Sequence, residues 1–408
     1  IAEPSRVWDG GYTICGTTGS GSSFVLRDPK GIRPAYYYID DEVIVLASER
    51  PVIQTVFNVP FDNVEELGPG CALLINRHGE PAIRRILPEG DNRRCSFERV
   101  YFSRGSDAEI YRERKALGAN IVPALIDTIG ARFDTTVFSF IPNTAEVAFI
   151  GMVEALNRHF DKFRKDEISA LASRGELDDT KLTDILRRKV RVEKIAIKDI
   201  KLRTFIAEGS SRNDLAAHVY DVTYGSIRPG TDSLVVIDDS IVRGTTLKQS
   251  ILRILDRLGP KRIIVVSSSP QVRYPDYYGI DMPHLDELAA FRAAVSLLER
   301  RGNAGLLDDI YAKCMAEIEK PDSEMTNAVK AIYDQFDDNE IADEMARMLR
   351  PDEINAKVEI LFQTLGGLHD AIPGCPGDWY FSGDYPTPGG IKLVNRAYIN
   401  FYRKKHAK

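Results

Sequence analysis

The 408 residues hold only five cysteines, at positions 15, 71, 95, 314 and 375, odd in number and without repeated spacing. Such a set builds no disulfide framework and reads as reduced thiols in a cytoplasmic protein. The six histidines are scattered as well, so no zinc constellation emerges. No apolar run approaches the roughly 20 residues that a membrane helix needs, and no signal peptide is visible. Charge of neither sign dominates: 54 basic residues face 60 acidic ones, for a net charge of −6. This excludes a global pull towards nucleic acid, so any phosphate recognition must be local. Internal repeats and low-complexity segments are missing too. What remains is a chain with 43% hydrophobic residues, enough for two or three globular domains.

One thirteen-residue run carries most of the chemistry: Leu234-Val235-Val236-Ile237-Asp238-Asp239-Ser240-Ile241-Val242-Arg243-Gly244-Thr245-Thr246. Leu234 to Ile237 is uninterruptedly apolar and reads as a parallel strand buried on both faces. Leu247, Ile251, Leu252, Ile254, Leu255 and Leu258 then mark one face of a helix from Thr246 to Leu258, which Gly259-Pro260 closes. Ile263 to Ser267 is a second apolar strand. The unit is βαβ, with a right-handed crossover. Ligands of such sheets bind at the carboxyl ends of the strands, where Asp238 and Asp239 fall. Gly244, Thr245 and Thr246 open the helix, where free N–H groups and a charge of about +0.5 favour an anion. Adjacent carboxylates repel unless a cation or hydroxyl groups engage them. Vicinal ribose hydroxyls and Mg²⁺ both answer that need. The plainer alternative is a pair of solvated turn aspartates before an ordinary helix.

Elsewhere Ser22 to Leu26, Ala35 to Ile39 and Val43 to Ala47 read as strands. Arg27 to Pro34 forms a tight turn. A helix is expected from about Tyr111 to Gly130. Val137 to Ile141 is a strand, and Pro142-Asn143-Thr144-Ala145 turns into a helix reaching about Leu156, with Asn or Thr as an ordinary N-cap. From about 157 to 200 charges of both signs alternate with apolar residues, which suits solvated helices or a contact surface. Gly209 to Asp214 is polar and rich in Gly and Ser. Beyond Ile280 helical spacing recurs over Leu285 to Arg300, Leu306 to Ile318, Met325 to Phe336, Ile341 to Leu349 and Ile354 to Leu365. Ala371 to Gly390 is an irregular return.

The central run resembles the phosphoribosyl pyrophosphate (PRPP) motif of type I phosphoribosyltransferases, and its wording is most similar to that of the amidophosphoribosyltransferase family. Arg27-Asp28-Pro29-Lys30-Gly31-Ile32-Arg33-Pro34, Ala47-Ser48-Glu49 and Leu67-Gly68-Pro69-Gly70 resemble that family's glutaminase domain, in order. Cys95-Ser96-Phe97-Glu98-Arg99-Val100-Tyr101-Phe102 resembles its domain junction. Arg203-Thr204-Phe205-Ile206, Tyr278 to Pro283 and Phe381 to Thr387 complete the series.

The resemblance implies an α/β type I phosphoribosyltransferase domain with a parallel sheet over 99–290, carrying the charged helical insertion at about 157–200. A partial α+β Ntn-hydrolase-type glutaminase domain precedes it over 1–98, and a helical extension follows over 291–408. The implied reaction moves ammonia, from glutamine in a complete protein, to C1 of PRPP with release of pyrophosphate, the first step of purine biosynthesis. Asp238 and Asp239 would be catalytic. Ser240, Ile241, Val242, Arg243, Gly244, Thr245, Thr246, Asn143, Thr144, Arg203 and Arg212 would bind PRPP. Thr144 would join the two aspartates on Mg²⁺. Purine nucleotides are the implied inhibitors and a homo-oligomer the implied assembly, with neither nucleic acid nor membrane as partner.

Three departures qualify this. The family's nucleophilic N-terminal cysteine has no counterpart: the chain starts at Ile1, and Cys15 reads as a half-buried strand cysteine, so glutaminase activity is not expected of this chain alone. Asn143 and Ala145 replace an acidic and a small residue beside Thr144, and Ala145 would be strained if the loop needs a positive φ. This keeps open a PRPP-binding regulator or catalytically silent homologue. Some members carry an iron–sulfur cluster on four cysteines. Cys95 matches one, but Asp276, Gly377 and Tyr380 stand at or near the others, so no cluster is expected.

Overall fold

The computed structural model describes residues 2–130, 132–198, 220–280 and 282–407. The chain divides into two compact units: 1–111 with 273–335 and 372–408, and 112–272 with 336–371.

In the first unit, β1 (Thr13–Thr17), β2 (Ser23–Arg27), β6 (Cys71–Ile75) and β7 (Pro81–Arg85) form an antiparallel sheet in the order β1-β2-β6-β7. A second antiparallel sheet runs β4-β3-β5, from β3 (Tyr36–Ile39), β4 (Ile44–Ala47) and β5 (Glu65–Glu66). Val25 and Leu73 of the first sheet pack with Tyr37 of the second, and Tyr36 with Ile53 of helix Arg50–Phe57. Alternate residues of one strand thus serve two layers. The turn between β2 and β3 explains its own sequence. The Asp28 carboxylate accepts the N–H groups of Lys30, Ile32 and Arg33. Fully buried Arg27 donates to the carbonyls of Gly31, Arg33 and Leu67 and to Glu66. Gly31 supplies the left-handed residue at φ +66°. Cys15 lies in β1 as expected but is exposed rather than half-buried.

Helices Ala289–Arg300, Gly305–Glu317 and Pro388–His406 also belong to this unit, with Tyr398 Oη bonded to the Leu307 carbonyl at 3.0 Å. The helix expected over Met325 to Phe336 shrinks to Lys330–Tyr333. The Asn395 side chain captures Thr326 O and Ala328 N–H instead, and side-chain amides of this kind compete with helical bonding.

The second unit is built on five parallel strands, β8 (Thr136–Phe140), β9 (Arg191–Val192), β12 (Ser233–Asp238), β13 (Arg262–Ser267) and β14 (Lys357–Phe362), ordered β14-β13-β12-β8-β9. The short pair β10 (Ala196–Lys198) and β11 (Tyr220–Val222) is separate and antiparallel. Val235, Ile237, Ile264 and Val266 share one buried face with Leu125 and Ile129 of helix Val122–Ile129 and with Phe149 and Met152 of helix Glu146–Ser173. Leu234, Val236, Ile263 and Val265 point the other way and are buried too. The continuous apolar runs follow from this two-sided burial.

Three boundaries depart from expectation. The helix over 111–130 is two, Ala108–Asn120 and Val122–Ile129, because Pro123 cannot donate across the break. The helix after β8 runs on to Ser173 rather than stopping near Leu156, and Asp179–Arg187 follows. Ile354 to Leu365 is not helical: β14 occupies its centre, so the tail after 291 is not wholly helical. Its sequence satisfies two periods, and alternating Val358 and Ile360 pair with β13 at the sheet edge. Among the described residues no helix is long and apolar enough to cross a membrane.

Candidate active site at the switch point of the parallel sheet

Read outward from β8, the chain steps to β9 on one side and to β12, β13 and β14 on the other. The reversal lies between β8 and β12, where open parallel sheets hold their ligands. The segment after β8 contains Asn143 and Thr144; β12 ends on Asp238, and the segment after it contains Asp239 to Thr246.

Asp238 closes β12, and its carbonyl accepts the Ser268 N–H at 2.9 Å. Its Oδ1 accepts the backbone N–H of Asp239 at 2.9 Å. Asp239 Oδ1 accepts the Ser240 hydroxyl at 2.9 Å, and the Thr144 hydroxyl also bonds this carboxylate. The Asp238 backbone is thus tied to the segment after β13, and the Asp239 side chain to Thr144 after β8. Burial pushes both carboxyls above the usual range. For Asp238 the charge of Asp239 adds to the effect; for Asp239 the bonds from Ser240 and Thr144 and the charge of Arg114 oppose it. Both aspartates are half-buried and each is held by hydrogen bonds, unlike a solvated turn pair.

The loop after the pair is shaped for close approach. Ile241 is buried and anchors it, while Arg243, Thr245 and Thr246 are exposed. Gly244 has φ +72°, and a Cβ there would sit 2.6 Å from Leu349 Cδ2. Its carbonyl accepts Lys248 N–H at 3.0 Å, opening a helical stretch of one wide π-type turn, Leu247–Ile251, and then Leu252–Asp256. N–H groups at that opening have no carbonyl one turn back, which suits an anion.

Across the reversal, Ile141 N–H bonds the Ile237 carbonyl at 2.9 Å, tying the segment after β8 to β12. The Pro142–Asn143 peptide is cis. Ala145 is fully buried at φ −71°, ψ −11°, so the strain expected at a positive φ does not arise. Asn143 is exposed, and its carbonyl accepts Glu146 N–H at 3.2 Å as the helix begins.

Thr144, Asp238, Asp239 and Ser240 are thus gathered at one point. Arg203 and Arg212, with the polar segment 209–214, lie outside the described residues. Two residues escaped the sequence reading. Ser268 follows β13 at the same sheet edge and could have been found by the rule that located Asp238. Arg114 comes from helix Ala108–Asn120 and has no local signal. In the first unit, Cys95 pairs in register with Gly377, and Tyr380 Oη donates to Asp276 Oδ1 at 2.5 Å. Burial raises the Cys95 thiol far above the range in which a thiolate forms.

No protein-family model matches the chain. It is 26% identical over 288 residues to the amidophosphoribosyltransferase of Pseudomonas aeruginosa, covering 69% of this chain and 50% of that protein. The Escherichia coli enzyme of the same name is 26% identical over 296 residues, covering 71% and 52%. That of Saccharomyces cerevisiae is 25% identical over 299 residues, covering 70% and 51%. The chain spans about half the length of these relatives. Among solved structures, the glutamine PRPP amidotransferase of Bacillus subtilis complexed with ADP and GMP superposes with a TM-score of 0.60 at 22% identity, over 95% of this chain and 66% of that one. The fold is therefore that of the PRPP amidotransferase structures.

Proposed function

We propose that this chain performs the phosphoribosyl-transfer reaction of an amidophosphoribosyltransferase: ammonia displaces pyrophosphate at C1 of PRPP and gives 5-phosphoribosylamine. One observation carries the reading. The acidic pair and the Gly/Thr loop stand side by side at the switch point, with the Thr144 hydroxyl bonded to the second aspartate. A ligand spanning the two features needs hydroxyls at one end and a phosphate at the other. A phosphorylated ribose has both.

Each step asks for positioning and charge, not for a strong base. Ammonia is already nucleophilic once unprotonated. The C1–O bond to pyrophosphate breaks as the C1–N bond forms; the electron pair leaves with pyrophosphate, and the nitrogen sheds one proton to solvent. Ser240 to Thr246 hold the 5-phosphate through backbone N–H and hydroxyl donors. Asp238 and Asp239 accept from the ribose hydroxyls and so orient C1. Asn143 and Thr144 face the leaving group. Two adjacent carboxylates with a hydroxyl beside them are hard oxygen donors of the kind a magnesium ion takes. Asp238, Asp239 and Thr144 would hold it, and its charge would offset that of the departing pyrophosphate. Arg203 and Arg212 are assigned to PRPP on the family resemblance.

In a longer protein glutamine would supply the ammonia. Purine nucleotides as inhibitors find support in the ADP and GMP of the Bacillus subtilis structure, and a homo-oligomer is proposed by resemblance. The five free cysteines fit the cytoplasm.

The test is release of pyrophosphate from PRPP with ammonia and magnesium. Turnover that Asp239→Asn lowers by about a hundredfold or more supports the assignment. PRPP binding without turnover would favour the silent homologue, for which Asn143, in place of an acidic residue, is the specific argument. Unchanged PRPP affinity in Asp239→Asn would remove the pair from the site.

A further inference from the structure

β14 (Lys357–Phe362) closes one end of the parallel sheet, and among the described residues only β13 pairs with it. The N–H groups of Lys357 and Gln363 donate to the carbonyls of Lys261 and Ser267 at 3.4 and 3.1 Å. Successive residues of a strand turn their backbone groups to opposite sides. Those of Val358 and Ile360 therefore point away from the sheet, and among the described residues they have no partner. The entry to the strand is sealed. Asp256 Oδ1 accepts the Ala356 N–H at 2.8 Å, and Arg350 donates to the carbonyls of Ile354 and Ala356. Beyond that seal a groove of about 550 Å³ follows the strand, lined by Val358 and Ile360, by Thr128, and by Asp343 and Arg347 of helix Asp338–Leu349.

An open strand edge offers donors and acceptors that another strand can take. Charge says which strand fits this one. Lys357, with 74% of its side chain exposed, lies 2.9 Å from Glu359, two residues on and on the same face. A strand with one charge of each sign at that spacing is complementary to its own copy run antiparallel. With a two-fold axis at Val358, the two copies of Val358 exchange both backbone bonds, and Lys357 stands opposite the partner's Glu359 on each side of the axis. An axis at Glu359 would set two carboxylates face to face. One at Ile360 would leave Lys357 opposite the partner's Gln363 and Glu359 opposite the partner's Leu361. Opposite charges across a pair stabilise and like charges do not, so the Val358 register is favoured.

We propose that two copies of this chain join through β14, the strands antiparallel about Val358, so that the parallel sheet of one copy continues into that of the other. The partner is a second copy, not an unrelated peptide, because the charges of the edge answer each other. β12 is two strands away, so the pairing does not rest on the PRPP reading.

The experiment follows the full chain by sedimentation velocity over a range of concentrations, with hydrogen exchange read at single amides. Wild type should dimerise, and the Val358 and Ile360 amides should exchange about tenfold more slowly as the dimer fills. Lys357→Glu changes an exposed side chain, leaves only carboxylates around the axis, and should raise the dimer dissociation constant about tenfold or more. Lys357→Glu with Glu359→Lys swaps the charges and should restore the dimer. If that double variant does not fold, Val358→Pro removes the donor on the axis without touching a bond to β13, and should abolish the slowing at Ile360. A chain that stays monomeric overturns the inference. So does a dimer whose Val358 and Ile360 amides exchange at one rate at every concentration, since the contact is then elsewhere. Undiminished association of Lys357→Glu, or a folded double variant that stays weak, overturns it too. Slowing at these amides only when another protein is added gives the edge to that protein and overturns it likewise.

Discussion

Replacing Gly151 by Ala tests the helix crossing from which the site is built. The added methyl would start 2.0 Å from the Lys115 carbonyl oxygen and 2.6 Å from the Lys115 carbonyl carbon and Cα. Even close C–H···O contacts settle near 3.3–3.6 Å, so the helices must part by about 1.3 Å. Two effects then compete. Alanine gains about 1 kcal/mol of helix propensity over glycine. Overpacking costs about 1–3 kcal/mol when side chains can yield; here the obstacle is backbone on both sides, which puts the cost at or above the upper end. The net expectation is a loss of about 2 kcal/mol, read as a fall of roughly 1 M in the urea midpoint. PRPP affinity should fall with it, since the crossing carries Arg114. Gly118→Ala meets the Ala148 carbonyl at the same crossing and should cost a similar amount. The double variant should cost less than the sum, because helices already parted cannot be pushed apart twice. A midpoint unchanged or raised in Gly151→Ala would show propensity winning and refute the backbone contact.

Asp238→Asn should trade binding for stability. A carboxyl whose folded pKa is raised stabilises the fold below its unfolded value, about pH 4, and that contribution is lost as pH rises through the folded value. The unliganded wild type should therefore weaken towards neutral pH and the Asn variant should not, so at pH 7 thermal melts place the variant higher while calorimetry shows PRPP binding lost. Asp232 has the opposite sign. Burial opposes its charge, but bonds from Arg228 and Arg191 outweigh that and lower its pKa. The stability it provides is present above the unfolded value and lost as pH falls through the folded one; urea midpoints of Asp232→Asn should lie below wild type at neutral pH and converge with it in acid.

The elements best read in the sequence were those whose burial pattern admits one explanation. Leu234 to Ile237 and Ile263 to Ser267 are too short for helices and too apolar for half-exposed strands, so both faces had to be covered. Ile354 to Leu365 shows the opposite case. Ile354, Val358, Leu361 and Leu365 repeat at helical spacing, yet Val358 and Ile360 also alternate with Lys357 and Glu359. Only the open edge of β13 decides between the two periods, and that edge is a property of the assembled sheet. The same holds for the helix after β8, where nothing local near Leu156 marks a stop and the chain continues to Ser173.

The site divides along the same line. Asp238, Asp239, Gly244 and the two threonines are contiguous, and a strand end followed by a glycine and a helix start places them without further help. Thr144 is almost a hundred residues away, and reaches Asp239 because β8 is the parallel neighbour of β12. Arg114 is harder still: its placement depends on Gly118 and Gly151, two helical glycines that in sequence look only like weak points. Glycine there is not a concession to flexibility. It removes the methyl groups that would hold the helices apart, and the helix so placed carries the buried cation whose charge opposes the effect of burial on Asp239. Besides that cation, the Ser240 hydroxyl and N–H and the Thr144 hydroxyl oppose the effect of burial on Asp239.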